Sequence, residues 1–233
     1  MFIIKLADIN IKINNRYSFL TKLCQDYIIS DSEYELEISI SEDDIDNEQK
    51  SADKSFSRGY LESLCCYRKI SLELTKYDCF LMHAAVIDVD SKGYAFLARS
   101  GTGKTTHTRL WQKLLGNKMK YVNGDKPLIR FINNIPYAYG TPWCGKESYG
   151  ENTRVELNAL CFIERGLENS IVEIPKKNIL TKIIHQILIP TDETQAIKTF
   201  DLLNKTINYV DTYLLKCNMD IEAAVIAYNK LKK

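Results

Sequence analysis

Apolar and polar positions alternate strictly at two places near the N-terminus. Phe2 to Ile13 ends on Ile9, Ile11 and Ile13, and Tyr34 to Ser41 sets Tyr, Leu, Ile, Ile against Glu, Glu, Ser, Ser. Period two predicts a half-buried strand in each. From Ser57 to Lys76 the period lengthens, with Tyr60, Leu61, Leu64, Tyr67 and Leu74 at helical spacing and Glu62 and Arg68 among the polar positions, which predicts an amphipathic helix. The texture then changes. Phe80 to Val89 is an almost continuous apolar run, and Gly93 to Ala98 is another after the turn Asp90-Ser91-Lys92, as central strands covered on both faces require. A helix follows from Lys104 to Leu115, ended by Gly116-Asn117, and a strand returns at Lys120 to Asn123. Pro127 to Ile132 and Ile135 to Tyr139 flank Asn133-Asn134, a hairpin turn because Asn tolerates positive φ. Strands at Val155 to Ile163 and Ser170 to Ile174, helices at Lys176 to Ile189 and Thr194 to Leu203, an alternating strand at Tyr209 to Leu215 and a helix at Asp220 to Leu231 complete the chain.

The pattern implies a β-rich N-terminal segment plus helix over 1–78 and an α/β domain with a mixed sheet over 79–233. Nine acids and no base lie between Asp31 and Glu48. They read either as a solvated edge and loop or as a docking surface for a basic peptide, the first being the commoner use of a charge run. The whole chain is balanced, with 31 basic and 30 acidic residues in 233. That balance argues against an unaided nucleic-acid or polybasic membrane binder. No signal peptide or 18-residue apolar span is present, because Lys5 and Asp8 interrupt the N-terminal apolar stretch. Seven cysteines without regular spacing suggest no disulfide framework, and Cys65-Cys66 reads as buried thiols in preference to half a zinc site. A cytoplasmic, reduced protein is expected.

The chemistry concentrates at Ala98-Arg99-Ser100-Gly101-Thr102-Gly103-Lys104-Thr105-Thr106, which fits the phosphate-binding pattern [AG]-x4-G-K-[ST], with Ala98 where glycine is commoner. Composition alone would produce it in about one chain in fifty of this length, and here it also falls between an apolar strand and a helix. Gly101 and Gly103 let backbone amides turn toward phosphate oxygens. The helix start supplies positive potential, Lys104 reaches the β and γ phosphates, and Thr105 offers a hydroxyl to Mg²⁺. Ser100, Gly101, Thr102, Gly103, Lys104, Thr105 and Thr106 are therefore the expected nucleotide site, with ATP and Mg²⁺ as cofactors. Phosphoryl transfer also needs an acid at a neighbouring strand end, and Asp125 in Asn123-Gly124-Asp125 is placed to be a metal ligand with Thr105 or to handle a proton.

His83, the glycine loop and Asp125, in that order, resemble the superfamily of HPr kinase/phosphorylase and ATP-dependent phosphoenolpyruvate carboxykinase. The likeness is greater to small bacterial HPr-kinase-like proteins, including those that phosphorylate a hydroxyl on ribosomally made peptides. It covers residues 80 to 165. The resemblance implies a P-loop domain of that type and an active-site role for His83, which on its own surroundings reads as a core histidine. A neutral imidazole suits proton relay near pH 7. The superfamily usually has two adjacent aspartates where this chain has Gly124-Asp125. Either Asp125 and His83 divide the metal and proton tasks here, or turnover is impaired, and Gly124→Asp is expected to raise activity if the missing carboxylate is limiting. HPr kinases are hexameric, so the resemblance leaves room for a homo-oligomer.

Three further side chains are candidates for the acceptor site. In the loop Gly140 to Glu147, Trp143 offers either a flat pocket wall or a packing plug, and Lys146 a cation for a phosphate or an acidic substrate. Arg165, after the strand at Val155 to Ile163, reads either as an arginine finger or as the surface partner of Glu164 or Glu168. Arg99, Arg109, His107 and His185 read as surface positions. The expected function is an ATP- and Mg²⁺-dependent kinase acting on a hydroxyl, most plausibly serine, of a peptide, protein or small molecule. The alternative is a nucleotide-binding regulatory or docking protein. An unstimulated NTPase switch is the third reading, and carboxykinase chemistry resembles that of a far longer enzyme.

Overall fold

In the computed structural model, which describes residues 1–30 and 32–232, the alternating N-terminal segment forms two strands where one was expected. β1 (Phe2–Leu6) and β2 (Ile9–Asn14) pair antiparallel through a turn in which Ala7 and Asp8 take φ of 49° and 59°. Such values suit a tight two-residue hairpin, whose twist matches that of its strands. After α1 (Ser18–Leu23), β3 (Ile28–Ile29) and β4 (Leu36–Ser39) flank the hairpin to give the order β3-β1-β2-β4, with β4 parallel to β2.

The acidic run departs most from expectation. Its second half is not a loop but α2 (Glu42–Ser51), opened by a capping box between Ser41 and Asp44. Basic residues of α3 (Arg58–Glu73) neutralise it: Arg58 pairs with Glu42 and Asp46, Arg68 with Glu48 and Lys69 with Asp44. The hydrogen bond from Lys69 holds the Asp44 carboxyl down to about 2. Carboxylates so engaged offer little to a basic peptide, and Asp31, the first of the run, lies outside the described residues. Glu62 of α3 is fully buried and accepts from the backbone N–H of Arg16 and Tyr17, anchoring the entry to α1. These elements belong to one of two compact units, Met1–Tyr77; the other is Asp78–Lys233.

The second unit contains β5 (Cys79–Leu81), β6 (Ala85–Val89), β7 (Lys92–Leu97), α4 (Lys104–Leu115), β8 (Met119–Asn123), β9 (Leu128–Ile132) and β10 (Ile135–Tyr139). It continues through β11 (Arg154–Arg165), β12 (Ser170–Glu173), α5 (Leu180–Ile183), α6 (Glu193–Tyr209), β13 (Asp211–Cys217) and α7 (Ile221–Leu231). The sheet is mixed, as expected. Its order is β5-β9-β10-β11-β7-β6-β8, with β13 also on β11 and β12 on β13; β7, β11 and β13 run parallel and the other pairs antiparallel. Asn133 and Asn134 turn the β9–β10 hairpin at φ 51° and 65°.

Strand alternation feeds two cores. Ala95 and Leu97 of β7 and Leu160 and Phe162 of β11 face Leu202, Leu203 and Ile207 of α6. Tyr94, Phe96, Ala159, Cys161 and Ile163 face Trp111 of α4 and Ala223, Ala224 and Ala227 of α7, where small residues let the helix approach the indole. The result is a helix, sheet, helix sandwich that buries β7 on both faces. Two expected elements are broken. The run Phe80 to Val89 is split between β5, which pairs with β9, and β6, which pairs with β7 and β8. Lys176 to Ile189 is a succession of short turns around α5.

His107, expected at the surface, is 2% exposed. It lies four residues before Trp111, whose Nε1–H donates to His107 Nε2 at 2.9 Å, while Nδ1 is buried with no hydrogen-bond partner. Burial pushes its pKa down to about 4. The unfolded chain therefore takes up a proton below pH 6.5 that the folded chain refuses until about pH 4. Stability should fall through that window by about 3 kcal/mol and level off below it. His107→Gln, which keeps an acceptor for Trp111, should flatten this component of the slope in urea unfolding between pH 7 and 4.5. An unchanged slope would contradict it.

All seven cysteines are free, six of them buried and Cys144 partly so. Among the described residues no group of three or more His, Cys, Asp or Glu side chains is arranged to hold a metal, and no helix is long and apolar enough to cross a membrane.

Candidate active site

Sequence dictates the glycine loop's shape. Between the end of β7 and Lys104, the first residue of α4, Gly101 and Gly103 take φ of 76° and 129°, conformations that L side chains rarely adopt. Lys104 is 9% exposed, and its Nζ donates to Ala98 O at 3.1 Å and lies 3.1 Å from His83 Nε2. Burial lowers the Lys104 pKa, against the attraction of Asp125.

His83 owes its place to the break between β5 and β6. There Met82 N donates to Pro127 O at 3.1 Å and Ala84 N to Asp125 O at 3.0 Å, so this short stretch runs beside the turn that carries Asp125. His83 Nε2 consequently lies 3.1 Å from Asp125 Oδ1. For Asp125, burial raises the pKa, but the hydrogen bond from His83, helped by the charges of Lys126 and Lys104, outweighs it and holds the carboxyl below its ordinary value.

Gln186, invisible to sequence reasoning because it lay inside an expected helix, joins this cluster. Its backbone O accepts from His83 N at 2.6 Å. Its buried amide faces three acceptors, and oriented to donate it lies 3.1 Å from His83 O, 3.3 Å from Ala98 O and 3.3 Å from His83 Nδ1. Nδ1 is then the accepting nitrogen, and Nε2–H donates to Asp125. In that tautomer Nε2 offers the lysine no lone pair. Lys104 is held by the Ala98 carbonyl and the Asp125 charge, and is free to turn toward a stronger anion.

Asn123 is the other residue the sequence left unmarked. Fully buried, its Oδ1 accepts from Asp125 N at 2.9 Å and Lys126 N at 2.7 Å, and its Nδ2 donates to Thr141 Oγ1 at 2.9 Å. Thr141 Oγ1 in turn donates to Lys126 O. An Asn ahead of a tight turn is a recognisable turn signal, but its tie to Thr141 depends on the fold. The loop beyond Thr141 passes over the carboxylate, since a Cβ at Gly145 would lie 3.2 Å from Asp125 Cβ. Tyr149 pins its far end, stacking on Tyr121 at 4.4 Å and accepting from Arg109 Nε.

Gly124 sits beneath this loop. A Cβ there would lie 2.9 Å from Cys144 O and 3.1 Å from Tyr149 O, and Gly124 N already donates to Tyr149 O at 2.7 Å. The packing of the loop thus leaves no room for a side chain at position 124. Trp143 is 7% exposed, which favours the plug over the pocket wall, whereas Lys146 is exposed one residue beyond Gly145. Arg165 pairs with neither Glu164 nor Glu168: its guanidinium donates to Gly101 O at 2.6 Å and Thr102 O at 3.2 Å. The structure therefore gathers His83, Lys104 and Asp125 into one cluster and ties Arg165 to the glycine loop.

No protein-family model matches the chain, and no curated protein matches it. Among solved structures, the HPr(Ser) kinase/phosphatase from Coxiella burnetii is similar at 12% identity, over 64% of this chain and 89% of that one, with a TM-score of 0.38. The class defined by the fold is an α/β chain with mixed sheets.

Proposed function

We propose that the chain is an ATP- and Mg²⁺-dependent phosphotransferase acting on a hydroxyl, with serine in a peptide, a protein or a small molecule as the acceptor group. The observation that carries it is the convergence of a helix-start lysine, a histidine and a carboxylate from three separate elements, with His83 Nε2 3.1 Å from both Lys104 Nζ and Asp125 Oδ1. Ser100 to Thr106 would bind the phosphates, with backbone amides supplied by the two glycines. The oxygen donors Thr105 Oγ1 and Asp125 fit a hard cation that takes its remaining ligands from phosphates and water. When bound, Mg²⁺ would neutralise charge on the β and γ phosphates.

The chain's own groups then have separate tasks. Lys104 turns from Ala98 O toward the γ-phosphoryl oxygens, where its charge is worth more in the transition state than in the ground state. His83 Nε2–H fixes one oxygen of Asp125 and leaves the other for the cation or the hydroxyl proton. Asn123 and Thr141 keep the carboxylate in place. A lowered Asp125 pKa makes it a weak base, which suits a loose transition state in which the hydroxyl proton leaves late.

The test is Mg²⁺-dependent transfer of the ATP γ-phosphate into small-molecule and peptide fractions of a host extract. Label in one fraction, with ADP formed, is expected. ATP that binds and raises Tm without ADP in any fraction would replace the kinase with a nucleotide-binding regulator, the reading that the single carboxylate at Gly124-Asp125 favours. Failure to bind Mg·ATP would remove both.

A further inference from the structure

Two cavities meet at the glycine loop, and the loop's own chemistry tells them apart. One, of about 490 Å³, opens over Gly103, Thr106 and His107 at the start of α4 and reaches Gly166 and Met219. The other, of about 640 Å³, is walled by Ala98 and Gln186, the groups hydrogen-bonded to Lys104 and His83. A nucleotide held by this loop places its γ end at Lys104 and its α-phosphate and nucleoside toward the helix start. The first cavity is therefore on the nucleoside side; the second is not itself lined by Lys104, His83 or Asp125 but abuts them through Ala98 and Gln186.

The second cavity is cationic. Arg99, Arg165 and Lys182 line it against one acid, Glu164, a formal excess of two positive charges before His185 is counted. The donors are not used up. Arg165 gives two of its five N–H groups to Gly101 O and Thr102 O, Lys182 gives one of three to Glu164 Oε1 at 2.9 Å, and Arg99 has no ion-pair partner among the described residues. Its volume is that of a small-molecule pocket.

We infer that this cavity is the acceptor subsite and takes a small hydroxy compound bearing a carboxylate or phosphate of its own. The inference rests on the kinase reading and narrows its acceptor. Arg165 and Lys182 grip the anionic group, and the hydroxyl lies toward Asp125 and the γ-phosphate. In transfer, the hydroxyl oxygen forms the new P–O bond as the bond to the β-phosphate oxygen breaks, ADP leaves with that electron pair, and the hydroxyl proton passes to Asp125.

The test titrates glycerol, glycerate and glycerol 3-phosphate, and separately a serine-containing acidic peptide, into the full chain saturated with Mg²⁺ and the β,γ-imido analogue of ATP, which fills the loop itself. Glycerate or glycerol 3-phosphate should bind at least about tenfold more tightly than glycerol, since a charge-assisted contact is worth that much. Lys182→Glu should cut the advantage to under threefold, while Lys118→Glu, which reverses a charge at a position lining neither cavity, should keep it. A preference for one anion identifies the source as carboxylate or phosphate. Equal binding of all three, a preference that survives Lys182→Glu, or binding only of serine-containing acidic peptides would overturn the inference while leaving the nucleotide site standing. Absence of analogue binding, read in the same titration, would overturn both.

Discussion

Lys104→Met should weaken Mg·ATP binding by about 10- to 100-fold, the worth of a charge-assisted hydrogen bond, and cut phosphoryl transfer by a further 10²- to 10³-fold. The fold should survive. Burial disfavours the charged amine, an unbranched apolar side chain of similar length fills the same space, and Asp125 keeps its bond from His83. Tm is expected within about 2 °C of the parent, the shift that a loss of about 1 kcal/mol produces in a chain of this size. ATP affinity within threefold of the parent in a folded variant would sink the site assignment.

Gly124→Asp, the change that restores the expected pair of carboxylates, should cause loss and not gain. Its Cβ would enter the space of Cys144 O and Tyr149 O, both backbone atoms, and its carboxylate would follow among acceptors. Either the loop over Asp125 lifts or the turn at Asn123 opens. A destabilisation of about 2–4 kcal/mol is expected in urea unfolding, with transfer no higher than the parent's at a temperature where the variant is folded. A stable variant with raised turnover would mean that the loop yields easily and that the single carboxylate had been limiting.

The glycine loop was legible because everything it needs is local: two glycines, a lysine and a strand-to-helix transition within a dozen residues. Asp125 could be placed by its strand end, whereas His83 drew attention only through resemblance. The reason is physical. An apolar run shows that a segment is buried but not which neighbour it pairs with, so the change of partners between β5 and β6 left no mark in the pattern. Gln186 lies about a hundred residues from the groups it holds and had no local signature. His107 was readable in principle, since it shares a helical face with Trp111 and Leu114. The acidic run was readable too: Ser41 and Asp44 at capping-box spacing marked a helix start, and the density of charge obscured it.

Arg165 ends β11 at the point where that strand still pairs with β13. Its guanidinium is tied to the glycine loop, and it lines both cavities. One side chain is thus a shared wall between the two proposed substrates. Because two backbone carbonyls already hold the guanidinium, it meets a ligand in either cavity pre-oriented, and little ordering entropy is lost when either one fills.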